Sequence, residues 1–452
     1  MGRSGNTTPV DVVIVGGGPA GCCVAVGLRE LGYEVRLLTT RRPWPSCEGI
    51  SARTLQGLRS AGLERALAEV AAATPRRAHW NNMQTEANAE HLVLRREFDR
   101  ALLEDVGAAG IPVLAGRLLQ RETTDDGVHS LAVRLEESGT AQLACRFLVD
   151  ARGRGVPGRE AALLRGPETV SLVQVRQGTA GNPGSLVCSY ADGWAWLAML
   201  ADGTRFLQLT VESSAQSPPK RAGLERWFQE QLRRIPEIHP WLDATRGVSR
   251  IFARGSTSIL RDDLVGANAI RVGDAAMAVD PLSGNGIFQA LSSALAAPAV
   301  INTLLRHPED SALAQTFHRE RVRHTFMRFA RTGRDFYRLE QDRCETLFWQ
   351  ARQGWPDDQL AHPETAPEFL GLHERPVLDG ERIRSRPVAV TSDQPLGVWH
   401  VDGGALASLL RDLPVAADSR VSALLQRVRR ASAGDRHRAE RLTAWLRRYD
   451  LL

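Results

Sequence analysis

The stretch V-D-V-V-I-V-G-G-G-P-A-G, residues 10–21, decides the fold of the N-terminal part of the chain. A run of β-branched residues, three spaced glycines and an Ala/Val/Leu segment predict a strand, a tight turn and a helix in succession. Such a turn needs Gly16 for its backbone geometry, Gly18 so that a pyrophosphate can approach, and Gly21 for close helix packing. The N–H groups around Ala20 would then face the phosphate charge. We therefore predict a Rossmann-like βαβ unit that binds a nucleotide; a glycine-rich turn without nucleotide is the alternative.

The end of the second predicted strand departs from this nucleotide-binding pattern. The residue expected to be Asp or Glu, which would grip a ribose hydroxyl, is Thr39. A threonine hydroxyl can still bond to ribose, but less strongly, because charge-assisted hydrogen bonds are about twice as strong as neutral ones. We expect Thr39, Thr40 and Arg41 to lie near the adenosine and to hold it loosely.

A second motif, R-V-G-D-A-A-M-A-V-D-P-L-S-G-N-G-I-F-Q-A-L, covers residues 271–291. It resembles the second FAD motif of the superfamily of flavoprotein monooxygenases, flavin-dependent halogenases and geranylgeranyl reductases. The resemblance implies that one aspartate holds the ribityl chain and that a proline and a turn lie against the isoalloxazine: Asp274, Pro281, Gly284, Asn285 and Gly286. A physical reason supports it, because the free N–H groups of a helix beginning there can stabilise the negative charge of reduced flavin.

Shorter pieces agree with this resemblance in order and spacing over about residues 10 to 330. L-R-R-E-F-D-R-A-L places Arg95 where the superfamily has an arginine near the flavin, and F-L-V-D-A-R-G-R matches its turn before the substrate domain. The resemblance implies FAD held without a covalent bond, NADH or NADPH as reductant, and O2 as co-substrate.

The expected fold class is α/β, with a Rossmann-like FAD domain of the glutathione reductase type. That domain would be discontinuous, built from residues 8–75, 93–165 and 262–330. Successive short strands separated by Gly, Asn and Asp predict an antiparallel sheet in the substrate domain, residues 76–92 and 166–261. Residues 331–452 are expected to form a mainly helical C-terminal region.

Composition argues against several other classes of protein. The net charge is +5, yet arginines alternate with acidic residues and no nucleic-acid-binding motif accompanies them, so we expect no nucleic-acid partner. Six cysteines show no CxxC pair or metal-ligand spacing, which predicts no metal site and a reducing compartment. No signal peptide is apparent, and the uncharged stretches Val12–Leu28 and Gly284–Leu305 are better interpreted as buried segments than as membrane spans. These features predict a cytoplasmic enzyme.

The segment D-G-W-A-W-L-A-M-L bears on the reaction. Trp194 and Trp196 lie on one face of a predicted strand, and the segment resembles the WxWxIP signature of halogenases. It ends in Ala198-Met199, however, and the single lysine, Lys220, lies in a polar linker, whereas halogenases rely on a lysine between flavin and substrate. Halogenation is therefore disfavoured. The tryptophans either contact the substrate or pack in the sheet core.

Two further candidates could take part in chemistry. Cys47-Glu48-Gly49 is similar to the Cys-Gly-Glu-Gly segment of geranylgeranyl reductases, so Glu48 is a candidate and an ene-reductase stays an alternative. A cysteine in such a place is inert unless its pKa is lowered. His79, beside Trp80 on a strand predicted to cross the substrate cavity, is a candidate proton acceptor, because histidine titrates near neutrality. A structural histidine is the more common case.

The remaining branch is the hydroxylases, in which the cofactor carries the difficult chemistry and no catalytic triad is needed. Halogenase-like features without the lysine, and a long basic C-terminal extension, resemble the flavoprotein monooxygenases that hydroxylate peptide-bound tryptophan during tryptophylquinone maturation of quinohaemoprotein amine dehydrogenases. Ten arginines and five acidic residues follow from Arg411 to Leu452, so an acidic protein could dock there. We therefore predict hydroxylation of an aromatic ring, most simply an indole, in a small molecule or a polypeptide; a flavin-binding partner protein without catalysis is the alternative from another class.

Overall fold

The computed structural model describes residues 8–155, 162–213, 218–219, 222–343, 345–361, 365–414 and 416–452. Lys220 and Cys344 lie outside the described residues. The chain divides into two units. The first consists of the described residues up to Pro298 together with Val322–Gln359, and the second consists of Ala299–Arg321 and the described residues from Leu360 onward.

The described strands are numbered in chain order. Strands β1 to β8 span Val10–Val15, Val35–Thr39, Cys47–Ile50, Ala73–Trp80, Met83–Leu94, Val113–Thr123, His129–Leu135 and Gly139–Asp150. Strands β9 to β18 span Ala162–Arg165, Thr169–Gln177, Gly184–Tyr190, Gly193–Met199, Thr204–Glu212, Arg246–Gly247, Phe252–Gly255, Ile259–Arg261, Ala269–Arg271 and Met277–Ala278. Strands β19 to β23 span Phe369–Asp379, Arg382–Thr391, Gln394–Val398, His400–Val401 and Gly404–Ala405.

The described α-helices are numbered in the same way. Helices α1 to α6 span Pro19–Glu30, Ala52–Ser60, Glu64–Ala68, Arg95–Ala108, Leu224–Arg233 and His239–Leu242. Helices α7 to α12 span Gly286–Arg306, Ser311–Arg338, Leu347–Gln353, Leu406–Leu410, Ala417–Ser432 and Arg436–Arg448.

A six-stranded sheet in the order β1-β2-β6-β7-β8-β17, with β1 also paired to β8, carries the N-terminal motif. Strand β1 pairs in parallel with β2 on one side and β8 on the other, and Val12, Val13 and Ile14 are fully buried. Burial on both faces explains why this strand is a continuous apolar run. The chain returns to the sheet at β17, which pairs in parallel with β8. The predicted α/β class with a Rossmann-like unit is confirmed.

A nine-stranded sheet forms the second layer of the first unit, with the order β14-β10-β13-β12-β11-β4-β5-β3 and with β15 paired to β10. Strands β10 to β13 form antiparallel pairs, whereas β4 runs parallel to β11. Helix α5 covers one face of this sheet, where Phe228 and Leu232 pack on Leu172 and Leu209. The other face is therefore available to the site described below.

The second unit contains the predicted C-terminal helices and, in addition, a sheet that the sequence did not predict. Strands β19, β20 and β21 form this three-stranded antiparallel sheet. Its prolines, such as Pro376 and Pro387, weaken the sequence signal for strands. Helices α10, α11 and α12 share a core built around Leu406, Leu424 and Leu442.

One described helix, α7, is long and apolar enough to cross a membrane, and most of its apolar stretch is buried. A single helix of this kind is weak evidence for a membrane span, because the buried core helices of many proteins pass the same test.

Candidate active site

The glycines of the first motif are needed for two different reasons. Gly16 has a φ of 116°, and a Cβ atom there would lie 2.3 Å from the carbonyl oxygen of Ala151. A Cβ at Gly21 would lie 1.9 Å from the carbonyl oxygen of Gly16. At Gly18, by contrast, a Cβ would meet nothing within 4 Å, and no side chain caps the helix that begins at Pro19. The turn therefore leaves both room and free N–H donors for a phosphate group.

Thr39 contacts this turn directly. The Gly17 N–H donates a hydrogen bond to Thr39 Oγ1 at 3.0 Å, so the hydroxyl accepts from the turn itself. Thr39, Thr40 and Arg41 all line the cavity that the turn faces. Contact between these residues and adenosine stays a prediction.

The two glycine-rich motifs, although far apart in sequence, line one cavity of about 1340 Å³. Gly16, Gly18 and Ala20 lie on its wall with residues of the second motif, namely Asp274, Pro281, Gly284 and Gly286. Gly21 and Asn285 are not among the lining residues: Gly21 packs behind the turn, and the Asn285 side chain donates to the Ser283 carbonyl at 2.6 Å. Ordinary small-molecule sites measure roughly 300–1,000 Å³, so this cavity has room for a large cofactor and for a substrate.

Asp274 lies close to a cation in this cavity. Its Oδ2 is 3.4 Å from Arg154 Nε. Burial raises the pKa of Asp274, and the nearby Arg154 opposes that shift. The Asp274 carboxylate fits the ribityl hydroxyl groups of FAD, and the two glycine-rich turns on the same cavity leave room for its phosphate groups. The residues present thus fit this cofactor, which supplies the redox chemistry when bound.

Arg95 forms ion pairs with two carboxylates, those of Glu48 and Asp99. Its side chain is 7% exposed, its Nη1 is 2.5 Å from Glu48 Oε1 and its Nη2 is 2.7 Å from Asp99 Oδ1. Burial alone would raise the pKa of Glu48, but the guanidinium groups of Arg95, Arg42 and Arg254 outweigh it, and this pKa lies below its ordinary value. Glu48 therefore stays ionised near neutrality, which favours an ion-pair role over proton transfer. Burial raises the pKa of the neighbouring Cys47 thiol, which makes it unreactive.

His79 lies apart from the other candidates. Its Nδ1 is 3.3 Å from Glu237 Oε1, and it is not among the residues that line the cavity. Successive residues of a strand point to opposite faces. Ala78 and Trp80 pack with Trp196 on the cavity face of the sheet, so His79 points to the other face.

Trp194 and Trp196 form part of the cavity wall, together with Val187 and Phe206. These tryptophans also pack in an aromatic cluster with Tyr337 and other residues, and their contact with a substrate stays a prediction. Within that cluster Trp349 makes edge-to-face contacts with Trp80, Tyr337 and Phe348, at centroid distances of 5.4 to 5.7 Å. This part of the wall is thus apolar and closely packed, which suits an aromatic ring.

Sequence reasoning missed several residues that line the cavity or hydrogen-bond to its wall. Asp280 stands inside the second motif but had no assigned role, and Tyr337, which donates to its carboxylate at 3.1 Å, lies in a segment without any motif. Arg76 lines the cavity, and its Nη1 would lie 3.9 Å from a Cβ placed on Gly284. Arg254 stacks on a tryptophan at 4.2 Å, and burial lowers its pKa to about 10. In an arginine-rich chain no local signal distinguishes these cations.

Comparisons with known proteins identify the family to which this chain belongs. Residues 9–329 match the family described as FAD binding domain. The chain is 26% identical over 382 residues to a tryptophan 2-halogenase of Chondromyces crocatus, which covers 78% of this chain and 71% of that protein. It is 27% identical over 307 residues to digeranylgeranylglycerophospholipid reductase 1 of Methanopyrus kandleri, covering 62% and 77%.

Among solved structures, the chain resembles QhpG, a peptidyl tryptophan dihydroxylase essential for tryptophylquinone cofactor biogenesis. The two share 43% identity and a TM-score of 0.82 over 98% of this chain and 100% of that one. The flavin-dependent halogenase CmlS has a similar fold, with 18% identity and a TM-score of 0.74 over 99% and 96%. The predicted cofactor is confirmed: the chain belongs to the FAD binding domain family and is an FAD-dependent oxidoreductase of the monooxygenase class.

Proposed function

We propose that this protein hydroxylates a tryptophan side chain within a polypeptide, with FAD as cofactor and NADH or NADPH as reductant. The main support for this proposal is that one cavity is lined both by the two glycine-rich turns of the FAD motifs and by the aromatic residues Trp194 and Trp196. In each hydroxylation, a ring C–H becomes C–OH with one oxygen atom of O2, and the other oxygen atom leaves as water. The whole-length similarity to a peptidyl tryptophan dihydroxylase supports this choice of substrate and a place in tryptophylquinone biogenesis.

The protein's own contribution is positioning and removal of water. Val187, Trp194, Trp196 and Phe206 provide an apolar wall for an indole ring. Arg76 lies by the Gly284 turn, where its positive charge would favour binding of a negatively charged cofactor. No step therefore requires a catalytic triad.

Halogenation is the second candidate, favoured by the Trp194–Trp196 pair and by the tryptophan 2-halogenase relative. No lysine occurs among the described residues that line the cavity. The cations found there are arginines, whose guanidinium stays charged and whose chemistry differs from that of an amine. This composition supports the hydroxylase over the halogenase.

One experiment separates the candidates. The holoenzyme is reduced anaerobically with NADH or NADPH and mixed with oxygen-18, chloride and the polypeptide precursor of a tryptophylquinone enzyme. Mass spectrometry should find oxygen-18 in the tryptophan ring. A chlorinated ring would favour the halogenase, and saturation of an alkene without oxygen would favour the reductase. Flavin that turns over with none of these substrates would leave a non-catalytic flavin-binding partner.

A polypeptide substrate also suggests a docking surface on the second unit, and we place it on helices α11 and α12. Arg429, Arg430 and Arg447 are exposed there and form no ion pair within the described part of the chain. Other arginines of these helices are paired locally, such as Arg436 with Glu440 at 2.9 Å. The three unpaired arginines suit an acidic partner.

A further inference from the structure

A chain of hydrogen bonds connects the aromatic wall to the second FAD motif. Trp194 Nε1 donates to the Tyr337 hydroxyl at 3.1 Å. The Tyr337 hydroxyl in turn donates to Asp280, at 3.1 Å from Oδ1 and 3.2 Å from Oδ2. Trp194 lies in β12, Tyr337 lies in α8, and Asp280 directly precedes Pro281. They are brought together only by the fold.

The direction of each hydrogen bond follows from chemistry. An indole N–H can only donate, so the Tyr337 oxygen must accept from Trp194 and its own proton must point to Asp280. The Leu282 N–H also donates to Asp280 Oδ1, at 2.9 Å. Both contacts favour the ionised carboxylate. An ionised carboxylate accepts about four hydrogen bonds, so Oδ2 keeps acceptor capacity for a group in the cavity.

Asp280 differs from most other acidic residues of the cavity. Four of the lining carboxylates form ion pairs with arginine: Glu48, Asp99, Glu104 and Asp274. Glu90 accepts a hydrogen bond from the Ser185 hydroxyl. Asp280 forms no ion pair among the described residues and is only partly buried, on the same cavity wall as Leu282 and Trp194. A carboxylate that forms no direct ion pair is costly to bury, and such costs concentrate at functional sites.

The electrostatic surroundings of Asp280 suit a proton acceptor. Burial raises its pKa, and the Leu282 N–H, Arg352, Tyr337 and Arg154 oppose this shift without cancelling it. Its pKa therefore lies above that of an ordinary aspartate, closer to neutrality. A carboxylate with these properties binds a proton more readily than Glu48, whose pKa is lowered by its arginine neighbours.

We propose that Asp280 is a catalytic residue that accepts the proton from the hydroxylated ring carbon, and that Tyr337 and Trp194 are positioning residues that hold its carboxylate. This inference rests on the proposed tryptophan hydroxylation. After oxygen transfer, the attacked ring carbon carries both its new hydroxyl group and its original hydrogen, and the indole is positively charged. Asp280 Oδ2 takes that proton, the C–H electron pair restores the aromatic ring, and the proton then passes to solvent. O2 is the oxidant, and NADH or NADPH supplies the two electrons.

The test compares Asp280→Asn with wild type and with a matched control, Asp192→Asn, which alters an exposed aspartate paired with Arg234. FAD content and the rate of cofactor reduction should be unchanged in both variants. Hydroxylated product formed by Asp280→Asn should fall by about 10²- to 10⁴-fold, the usual contribution of general-base catalysis. With substrate deuterated on the indole ring, this variant should show a primary isotope effect that wild type lacks, because proton removal has become slow.

Tyr337→Phe tests the positioning role. It removes a hydrogen bond that stabilises ionised Asp280, so the pKa of Asp280 should rise and the acid limb of the rate profile should move to higher pH. Wild-type product rates without an isotope effect in Asp280→Asn would overturn the proposal, and so would loss of FAD from that variant, which would assign Asp280 to cofactor binding. Failure of wild type itself to hydroxylate the polypeptide precursor would instead overturn the proposed function.

Discussion

Gly17 and Thr39 are joined by a hydrogen bond in which the Gly17 N–H donates to Thr39 Oγ1 at 3.0 Å. Many nucleotide-binding turns have an acidic residue at the end of the second strand, and in this chain a hydroxyl stands there and stabilises the turn. A Cβ on Gly17 would lie 2.8 Å from the same oxygen, so the two segments are in close contact.

Replacing Thr39 by valine should weaken FAD binding. The substitution leaves the Gly17 N–H without its acceptor, which costs about 1–3 kcal/mol if the group stays buried. At roughly 1.4 kcal/mol per tenfold, the dissociation constant should rise by about 5- to 140-fold. Titration of apoprotein with FAD by fluorescence measures this. Thr39→Ser keeps the oxygen and should bind like wild type; equal weakening in both variants would contradict the role of the hydroxyl.

Two alanine substitutions in the first glycine-rich motif should have different effects on stability and on FAD binding. In Gly18→Ala the new Cβ meets nothing within 4 Å, so the apoprotein should keep its melting temperature but bind FAD more weakly, because the methyl group occupies space needed by the pyrophosphate. In Gly21→Ala the Cβ lies 1.9 Å from a backbone oxygen, so the apoprotein itself should be destabilised. Calorimetry with and without FAD separates these effects. Gly107→Ala, in an open part of α4, is the control; unaltered FAD affinity in Gly18→Ala would rule out this placement of the pyrophosphate.

Glu48→Gln should lower stability at neutral pH but not in acid. The folded-state pKa of Glu48 is lowered, so its ion pair contributes stability above the ordinary carboxylate pKa and loses it as pH falls through the folded-state value. We expect a loss of about 1–3 kcal/mol at pH 7, the usual range for hydrogen bonds to charged groups, reduced by the partial exposure of Glu48. Denaturant unfolding at pH 7 and at progressively lower pH measures the difference between variant and wild type. Glu34→Gln, in an exposed pair with Arg36, is the control and should change stability by less than about 1 kcal/mol.

The same Glu48→Gln variant tests the catalytic role predicted for Glu48 from sequence. If the residue serves only as an ion-pair partner of Arg95, hydroxylation per bound FAD should stay near the wild-type rate. A loss of turnover with normal FAD content and normal cofactor reduction would restore Glu48 as a proton-transfer residue.

Reversing the charge of Arg429, Arg430 and Arg447 to glutamate should raise the KM for an acidic polypeptide and leave FAD binding unchanged. Electrostatic attraction is screened over about 8 Å at physiological ionic strength, so the wild-type rate should fall with added salt and the variant should respond less. Truncation after Pro395 is a poorer test, because it removes buried core residues such as Leu406 and Leu424. The matched control changes three exposed arginines of the first unit, Arg226, Arg233 and Arg246, to glutamate. Equal effects of both triple variants would indicate net charge alone.

The parts of the site that the sequence could predict are those with a strong local signal. Gly16 and Gly21 are required by contacts with backbone atoms that any nucleotide-binding turn of this kind would have, so the pattern alone identifies them. The second motif likewise identified Asp274, Pro281 and Gly284 as a cofactor segment, and all three line the cavity. These predictions succeeded because the backbone conformation of a turn depends on residues that are adjacent in sequence.

Only the tertiary structure decided which distant side chains meet. Tyr337 and Asp280 are 57 positions apart in sequence, and the residues next to them give no signal that the two side chains are in contact. His79 faces Glu237 rather than the cavity, because strand alternation fixes its side and only the packed sheet reveals which side is inside. Sequence alone therefore determined the class of cofactor and the backbone that can hold it. The positions of proton acceptors and cavity walls depend on packing between segments far apart in the chain, and were decided by the fold.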